Sequence, residues 1–406
     1  MRGLLGFDVF WSEDRGMKTL TLATTNARPP HVPFGIKLRD RLSHTFVIGQ
    51  TGTGKSSLLL SMASQDIANS QGFCLIDPHG DLAESVRAVA GEGVLFWNVA
   101  DPSCQYGYNP LISVVPEYRP LVASALIETI KKQWEDAWGA RMEHLIRYAL
   151  LALLERNGST LQDIMALFLD KDFRTDVVAG VTDPQVQTFW TDEFPAMNYR
   201  TAADGVAPIA NKLGAFLAHP VVRKALCTPK TPLNFREIMD QGHRLIVNLG
   251  KGRLGADTAN VVGGLIVSAI AHAAYGREEV PEASRKPFFL YVDEFHSFTT
   301  SAFADMLSEL RKYGVGLVAT TQYGARLTDT VREAIFGNVG TIISFRVGAT
   351  DAAILEKQFG GDVPRARDLV GLANYEIYLK MMVDGVQTKA FSARTLPPGL
   401  HMQHAA

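Results

Sequence analysis

The chain has 406 residues, 47% of them hydrophobic and 20% charged, with a formal net charge of −2. This is ordinary globular composition, long enough for one large domain with a substantial insertion or a second domain. It excludes a globally basic surface, so any contact with nucleic acid has to come from local segments or a channel.

The opening stretch MRGLLGFDVFWSEDRG carries an apolar run too short for a signal peptide, and Asp8 interrupts it. Cys74, Cys104 and Cys227 are odd in number and form no CxxC pair, which fits reduced thiols in a cytosolic protein better than disulfides or metal ligands. Residues 1–34 are set apart as an N-terminal segment. Beyond them short apolar, β-branched runs alternate with helical periodicity, the pattern of a parallel sheet covered by helices.

The first expected strand, His44–Ile48, runs into GQTGTGKS, which fits the pattern GxxxxGK(S/T) at Gly49, Gly54, Lys55 and Ser56, and a helix is expected over Ser56–Ile67. In such a turn (Gly49, Gln50, Thr51, Gly52, Thr53, Gly54) backbone N–H groups point inward onto phosphate oxygens at a helix N-terminus. Lys55 is expected to reach the β- and γ-phosphates and the Ser56 hydroxyl to ligate Mg2+, with Ser57 completing the binding segment. At this point either ATP or GTP fits.

Strands are expected next over Phe73–Asp77 and Val94–Val99. LIDPHGDL (Leu75–Leu82) places Asp77, His79 and Asp81 at alternate positions. They read as a strand end and a Pro-Gly turn leading into a helix, with metal ligation as the alternative. Between about Val115 and Arg236 the alternation stops and PLVASALIETIKKQW, ARMEHLIRYALLALLERNG and TLQDIMALFL follow. Met142, Leu145, Ile146, Ala149, Leu150 and Leu153 recur at three- and four-residue steps, and Asn157-Gly158 ends that segment. Residues 116–235 are therefore expected to form an all-α insertion, splitting an α/β domain into 35–115 and 236–395; Lys171–Lys230 is less regular.

A strand at Leu245–Leu249 is followed by the apolar stretch Val261–Tyr275. That stretch falls short of the ~20 residues a bilayer span needs and contains His272, so it reads as a buried core helix, and no membrane span is expected. PFFLYVDEFHSF gives a strand, Phe288–Asp293, with two carboxylates at its carboxyl end, where α/β sheets bind ligands. Asp293 is expected to hold the Mg2+ shell, and Glu294 to orient and deprotonate the attacking water. The alternative is a pair of surface carboxylates after a buried strand. Gly316–Thr321 ends in GLVATTQ, so Gln322 either touches the γ-phosphate or its water, or is only a polar strand end. The P-loop, the insertion, the Asp-Glu pair and the glutamine follow in the order of RecA-like NTPases, whose sheet has a strand between the P-loop strand and the Asp-Glu strand.

Arg311, after the helix that follows Asp293-Glu294, and Arg346, ending the strand Thr341–Arg346, are candidates for a positive charge on the γ-phosphate. Such a charge contributes about 10³–10⁵ in turnover, and either arginine acting this way implies a ring of subunits. The alternative for both is a salt bridge or a packing role. Finally Glu376–Val383 and Gln387–Ser392 flank Asp384-Gly385, a strong hairpin signal, and 396–406 read as a tail.

With these residues in place the chain resembles the HerA/FtsK superfamily of DNA-pumping P-loop ATPases, and most of all its TraG/TraD-type coupling proteins of conjugation and type IV secretion. The likeness is carried by HTFVIGQTGTGKSSLL, LIDPHGDL, LIVNLGKGRLGADTANVVGGLIV, FFLYVDEFHSF, LRKYGVGLVATTQ and IISFRVGATDAAIL, spanning about residues 35–395. It implies a RecA-like α/β motor with an inserted all-α domain, ATP and Mg2+ as cofactors, and a homo-hexameric ring with DNA in its channel. Lys55, Asp293, Glu294 and Gln322 match the family's motif positions, and Arg311 matches the arginine that serves the neighbouring subunit. The segment Asn248–Thr258, with three glycines and the cations Lys251 and Arg253, is the candidate channel loop; a solvated basic loop is the alternative. Such contacts hold phosphates without reading sequence. Partners implied are a relaxase or secretion-system proteins, on the cytoplasmic side; the family's usual N-terminal membrane helices are not expected here, which fits a soluble relative, an anchor supplied by a partner or a trimmed chain. A secretion ATPase acting on protein and a slow, nucleotide-gated scaffold are the rival readings.

Overall fold

The computed structural model describes residues 19–27, 29–112, 114–197 and 205–396. Its strands are β1 (Thr19–Thr25), β2 (Pro33–Lys37), β3 (Thr45–Ile48), β4 (Gly72–Asp77), β5 (Leu95–Asn98), β6 (Tyr106–Gly107), β7 (Thr231–Pro232), β8 (Arg244–Asn248), β9 (Phe288–Val292), β10 (Val315–Thr321), β11 (Thr341–Ser344), β12 (Glu376–Lys380), β13 (Met382–Val383), β14 (Val386–Gln387) and β15 (Phe391–Thr395). An 11-stranded sheet has the order β2-β1-β15-β12-β11-β3-β10-β9-β4-β8-β5. From β11 to β5 neighbouring strands run parallel. From β11 to β2 they run antiparallel.

The parallel strands form because helices cover both of their faces. Every residue of β3, β4, β9, β10 and β11 is buried, so these segments read as continuous apolar runs rather than alternating ones. β12, in the antiparallel half, alternates buried and half-buried positions instead. β10 lies between β3 and β9 and pairs with both, the RecA-like order.

Two features differ from the sequence reading. β1 and the first two residues of β2 lie before residue 35 yet belong to the main sheet, where Thr25 pairs with Ala393 and Leu20 with Ile36. The hairpin at Asp384-Gly385 forms, with Val383 opposite Val386, but its arms are short and broken. Both turn residues have positive φ, 51° and 80°, as a two-residue hairpin turn of the primed type requires. The last strand runs on to Thr395. Residues 1–18 and 397–406, including the opening stretch and nearly all of the expected tail, lie outside the described residues.

Helices in the structure include α1 (Lys55–Ala68), α2 (Asp81–Ala90), α3 (Arg119–Gln133), α4 (Ala140–Glu155), α5 (Ala256–Tyr275) and α6 (Ser301–Leu310). Between Pro116 and Cys227 every described element is helical. In α4 Met142, Leu145, Ile146, Ala149, Leu150 and Leu153 are all buried, the stripe their spacing announces. β6 and β7, at the two ends of this region, pair in parallel. α5 has 20 residues and is long and apolar enough to cross a membrane by length and composition, but 67% of its most apolar window is buried inside the protein. It joins α3 and the sheet in one continuous core.

On the opposite face a buried polar joint ties three elements. Both terminal nitrogens of Arg41 donate to the Asp66 carboxylate at 2.7 Å, and one also reaches Tyr291 Oη at 2.9 Å. Tyr291 Oη donates to Asp66 at 2.5 Å, and the guanidinium lies 3.6 Å above the Phe289 ring. Both charges are paired, which is the condition for burying them.

Candidate nucleotide site

β3 delivers Gly49 to the carboxyl edge of the sheet. Gly49 N–H donates to Thr321 O, and Gln50 N–H to Arg346 O, so the loop enters between the ends of β10 and β11. A Cβ on Gly49 would sit 2.5 Å from that of Phe345, and Gly54 has φ 122°, so neither position accepts a larger residue without displacement. Thr53 Oγ1 closes the turn on Gln50 O at 2.7 Å, and Tyr375 N–H donates to Thr53 O at 2.8 Å. α1 opens at Lys55 with no side-chain cap, leaving its first N–H groups facing the loop.

Among the described residues Lys55 Nζ donates to main-chain oxygens, Gly49 O at 2.5 Å and Gln50 O at 3.0 Å. Burial pushes its pKa down, and the Asp293 and Glu294 carboxylates pull it back up. Asp293 follows β9, buried, and accepts from the Thr320 hydroxyl. Burial and the neighbouring Asp77 and Glu294 charges push its pKa up, while Thr320 and Lys55 oppose that. Ser56 stands exposed at the start of α1, with Ser57 half-buried beside it.

Glu294 has φ 51° and ψ 46°, a left-handed conformation that costs a non-glycine residue roughly 1–3 kcal/mol and that tends to persist at functional sites. Its Oε1 accepts from Gln322 Nε2, and Gln322 Oε1 in turn accepts from the Thr51 hydroxyl at 2.9 Å. One side chain therefore bridges the phosphate loop and the carboxylate. Glu294 Oε2 is buried without a hydrogen-bond partner, 3.4 Å from His296 Nδ1. Thr51, expected only as part of the loop backbone, thus also contributes its hydroxyl. Thr320 and His296 are additions to the sequence reading. His296 stands two residues after Glu294 and carries that much local signal, whereas the pairing of Thr320 with Asp293 depends on the β9–β10 register.

The two arginines separate. Arg346 belongs to its own phosphate loop, where Nε donates to Gln50 Oε1 at 3.3 Å and a terminal nitrogen to Leu372 O at 3.1 Å. Arg311 is exposed ahead of β10, close enough to His44 to affect its charge, at the end of the strands opposite the phosphate loop. It does not join the site of its own chain.

The segment with Lys251 and Arg253 is not an open loop. Residues Lys251–Leu254 form a helical turn, bounded by Gly250 and Gly255 with φ 60° and 82°. The glycines serve as break points between β8, this turn and α5. Lys251 is half-buried, and Arg253 is exposed. Asp77, for which metal ligation was the alternative, is consumed locally: its two oxygens accept from His79 N–H at 2.8 Å and Ala83 N–H at 2.9 Å. Among the described residues no cluster of three or more His, Cys, Asp or Glu is arranged to hold a metal.

The chain is 22% identical over 350 residues to the type 4 coupling protein DotL of Legionella pneumophila, covering 70% of this chain and 44% of DotL, so it spans less than half of that relative. Its fold is shared with the bacterial conjugative coupling protein TrwB, unbound (TM-score 0.65, 15% identity, 89% of this chain and 86% of that one) and in complex with ADP and Mg2+ (0.63, 15%, 89% and 87%). VirB4 of Thermoanaerobacter pseudethanolicus has it too (0.64, 13%, 95% and 98%). Residues 29–368 match the family model of the type IV secretion-system coupling protein DNA-binding domain, and the chain belongs to that family.

Proposed function

We propose that the chain is an ATPase that moves DNA through the channel of a homo-hexameric ring, as the motor part of a coupling protein. The observation that carries this reading is the side-chain bridge from Thr51 through Gln322 to Glu294, which joins the phosphate loop to the acidic pair. The residues fit Mg2+ and ATP: α1 has an uncapped N-terminus, Lys55 is held only by carbonyls, and Asp293 is buried within electrostatic reach of it. Bound there, the nucleotide supplies the phosphoanhydride bond and the metal neutralises charge on its oxygens.

In this reading Lys55 holds the β- and γ-phosphates, and Ser56 and Asp293 hold the metal. Glu294 orients the attacking water and takes its proton. Gln322 transmits the state of the γ-phosphate position to the end of β10. Arg311, remote from its own site, reaches the site of a neighbouring subunit, and Arg346 steadies Gln50 within its own. The ADP and Mg2+ bound by TrwB support the cofactor assignment, and the DNA-binding domain of the matching family supports the cargo. Lys251 and Arg253 contact phosphates from the channel wall. A relaxase or secretion-system proteins on the cytoplasmic side are the partners.

ATP hydrolysis measured alone and with single- or double-stranded DNA tests the reading. Stimulation by DNA, lost in Lys55→Ala, is expected. Hydrolysis indifferent to any DNA, together with tight binding to a secretion-system protein, would replace the DNA motor with a protein-export ATPase.

A further inference from the structure

His296 occupies a crowded position behind the acidic pair. Its Nε2 lies 3.3 Å from a terminal nitrogen of Arg326, and its Nδ1 lies 3.2 Å from Thr321 Oγ1 and 3.4 Å from Glu294 Oε2. A guanidinium has no acceptor, so Nε2 must offer its lone pair to Arg326, and the ring proton then sits on Nδ1. That proton is donated to Thr321 Oγ1, and the ring edge stands 3.4 Å from Glu294 Oε2, a buried oxygen that has no hydrogen-bond partner. Burial and the nearby cations Arg326, Lys132 and Lys251 push the His296 pKa down to about 4, so the ring is neutral near pH 7 and donates without bringing a charge.

The backbone of the same residue is held from the all-α region. Lys132, near the carboxyl end of α3, extends an exposed stem, and its Nζ donates to His296 O at 2.8 Å and to Thr299 O at 2.5 Å. Those carbonyls lie on either side of Ser297 and Phe298, at the end of the short turn that begins beside Glu294. Loss of water around the ammonium pushes its pKa down to about 8. One cation from the insertion thus pins both ends of the segment that leads from the acidic pair to α6.

We propose that Lys132 and His296 form a positioning relay through which the all-α region sets the orientation of Glu294 and so controls the hydrolytic step. Neither residue touches the reacting atoms. Lys132 fixes the turn, the turn and the Nδ1–H bond to Thr321 fix the His296 ring, and the ring edge limits where the free oxygen of the carboxylate can stand while Gln322 holds the other. Displacement of α3 moves the Lys132 anchor and releases Glu294 from its aim, which gives the insertion a route to the site that bypasses the phosphate loop. The relay rests on the nucleotide site proposed above.

Steady-state ATP hydrolysis by the full chain tests it, with thermal unfolding midpoints as the check on folding. Lys132→Met is expected to lower kcat on the order of 10-fold, with KM for ATP within about twofold of wild type, and Lys132→Arg to recover most of the loss; a misplacement of about 1 Å costs up to 10²-fold. His296→Ala should lose a similar factor, and His296→Asn, whose amide offers an N–H near the position of Nδ1, should regain part of it. Hydrolysis that depends on Lys55 but is unchanged in Lys132→Met and His296→Ala overturns the relay and leaves the nucleotide site standing. So does a loss that appears only in KM, or that neither conservative variant recovers while all variants unfold at the wild-type temperature. A wild-type chain without Lys55-dependent hydrolysis overturns both.

Discussion

The Thr51 hydroxyl donates to Gln322 Oε1 across 2.9 Å, joining the exposed tip of the phosphate loop to the residue that follows β10. The amide of the same glutamine donates to Glu294, so the three groups form one connected line. Gln322→Ala should leave ATP binding intact and lower turnover by about 10–100-fold, the range for losing a group that positions catalytic charge. Equilibrium binding of a fluorescent nucleotide beside steady-state hydrolysis separates the two effects. A loss confined to binding would show that Gln322 serves the loop rather than the water.

Lys55 and Glu294 should fail in different ways. Lys55→Ala removes the cation and is expected to abolish binding or turnover. Glu294→Gln keeps the shape and removes the base, so ATP should bind with near wild-type affinity and stall, about 10²–10⁴-fold slower. Single-turnover measurements check both, and brisk hydrolysis in Glu294→Gln would assign the water to another residue.

In the proposed ring Arg311 serves the neighbouring subunit's site and Arg346 its own. Mixed into wild type, Arg311→Ala subunits should poison hydrolysis out of proportion to their share, because each also spoils its neighbour. Arg346, bonded to Gln50 of its own chain, should give a proportional loss in the same titration. A proportional loss for Arg311 would remove it from the neighbouring site.

Lys251 and Arg253 predict salt-sensitive, sequence-indifferent binding. DNA affinity should fall steeply with salt, and replacing either residue by alanine should flatten the slope of log affinity against log salt by about one for each phosphate no longer neutralised. Affinities of the wild type and each variant at several salt concentrations give the slopes directly. Unchanged slopes would move the DNA-binding surface elsewhere.

His44 sets a pH limit on stability. Its Nδ1 accepts Leu317 N–H at 3.0 Å and its Nε2–H donates to Leu307 O at 3.1 Å, an arrangement only the neutral ring can make. Burial, reinforced by Arg311 and partly opposed by the Leu307 hydrogen bond, pushes its pKa down to about 4 from 6.5. The unfolded chain therefore takes up a proton that the folded one refuses. The His44 contribution is complete above pH ~6.5 and is lost as the pH falls towards ~4, by up to roughly 3 kcal/mol. His44→Asn tolerates the local φ of 64° and should flatten this dependence. Urea midpoints at pH 7 and pH 5 measure the difference, and identical pH dependence for variant and wild type would refute it.

Legibility followed sequence distance. The phosphate loop, the Asp-Glu pair and the terminal glutamine were readable because each sits at the end of a continuous apolar run, and two-sided burial leaves that mark in local sequence. β1 carries no such mark because TLTLATT, rich in threonine, gains its identity from pairing with β15 at the other end of the chain. Lys132 carried no signal at all: its partners lie 164 and 167 residues away, on carbonyls whose position depends on the whole fold. Lys251 and Arg253 stand out as cations in a glycine-rich stretch that reads as a loop, whereas its glycines mark the breaks between elements.

The Arg41–Asp66–Tyr291 joint reaches further than its own packing. Asp66 lies about three turns along α1 from Lys55, and Tyr291 stands two residues before Asp293 on the neighbouring chain segment. Lysine and aspartate are thus the tips of a fork whose tines, α1 and β9, are fastened together lower down. The gauge between those tips is a property of the joint, so a substitution at Arg41, far from the phosphate loop, is felt as a change of spacing between them.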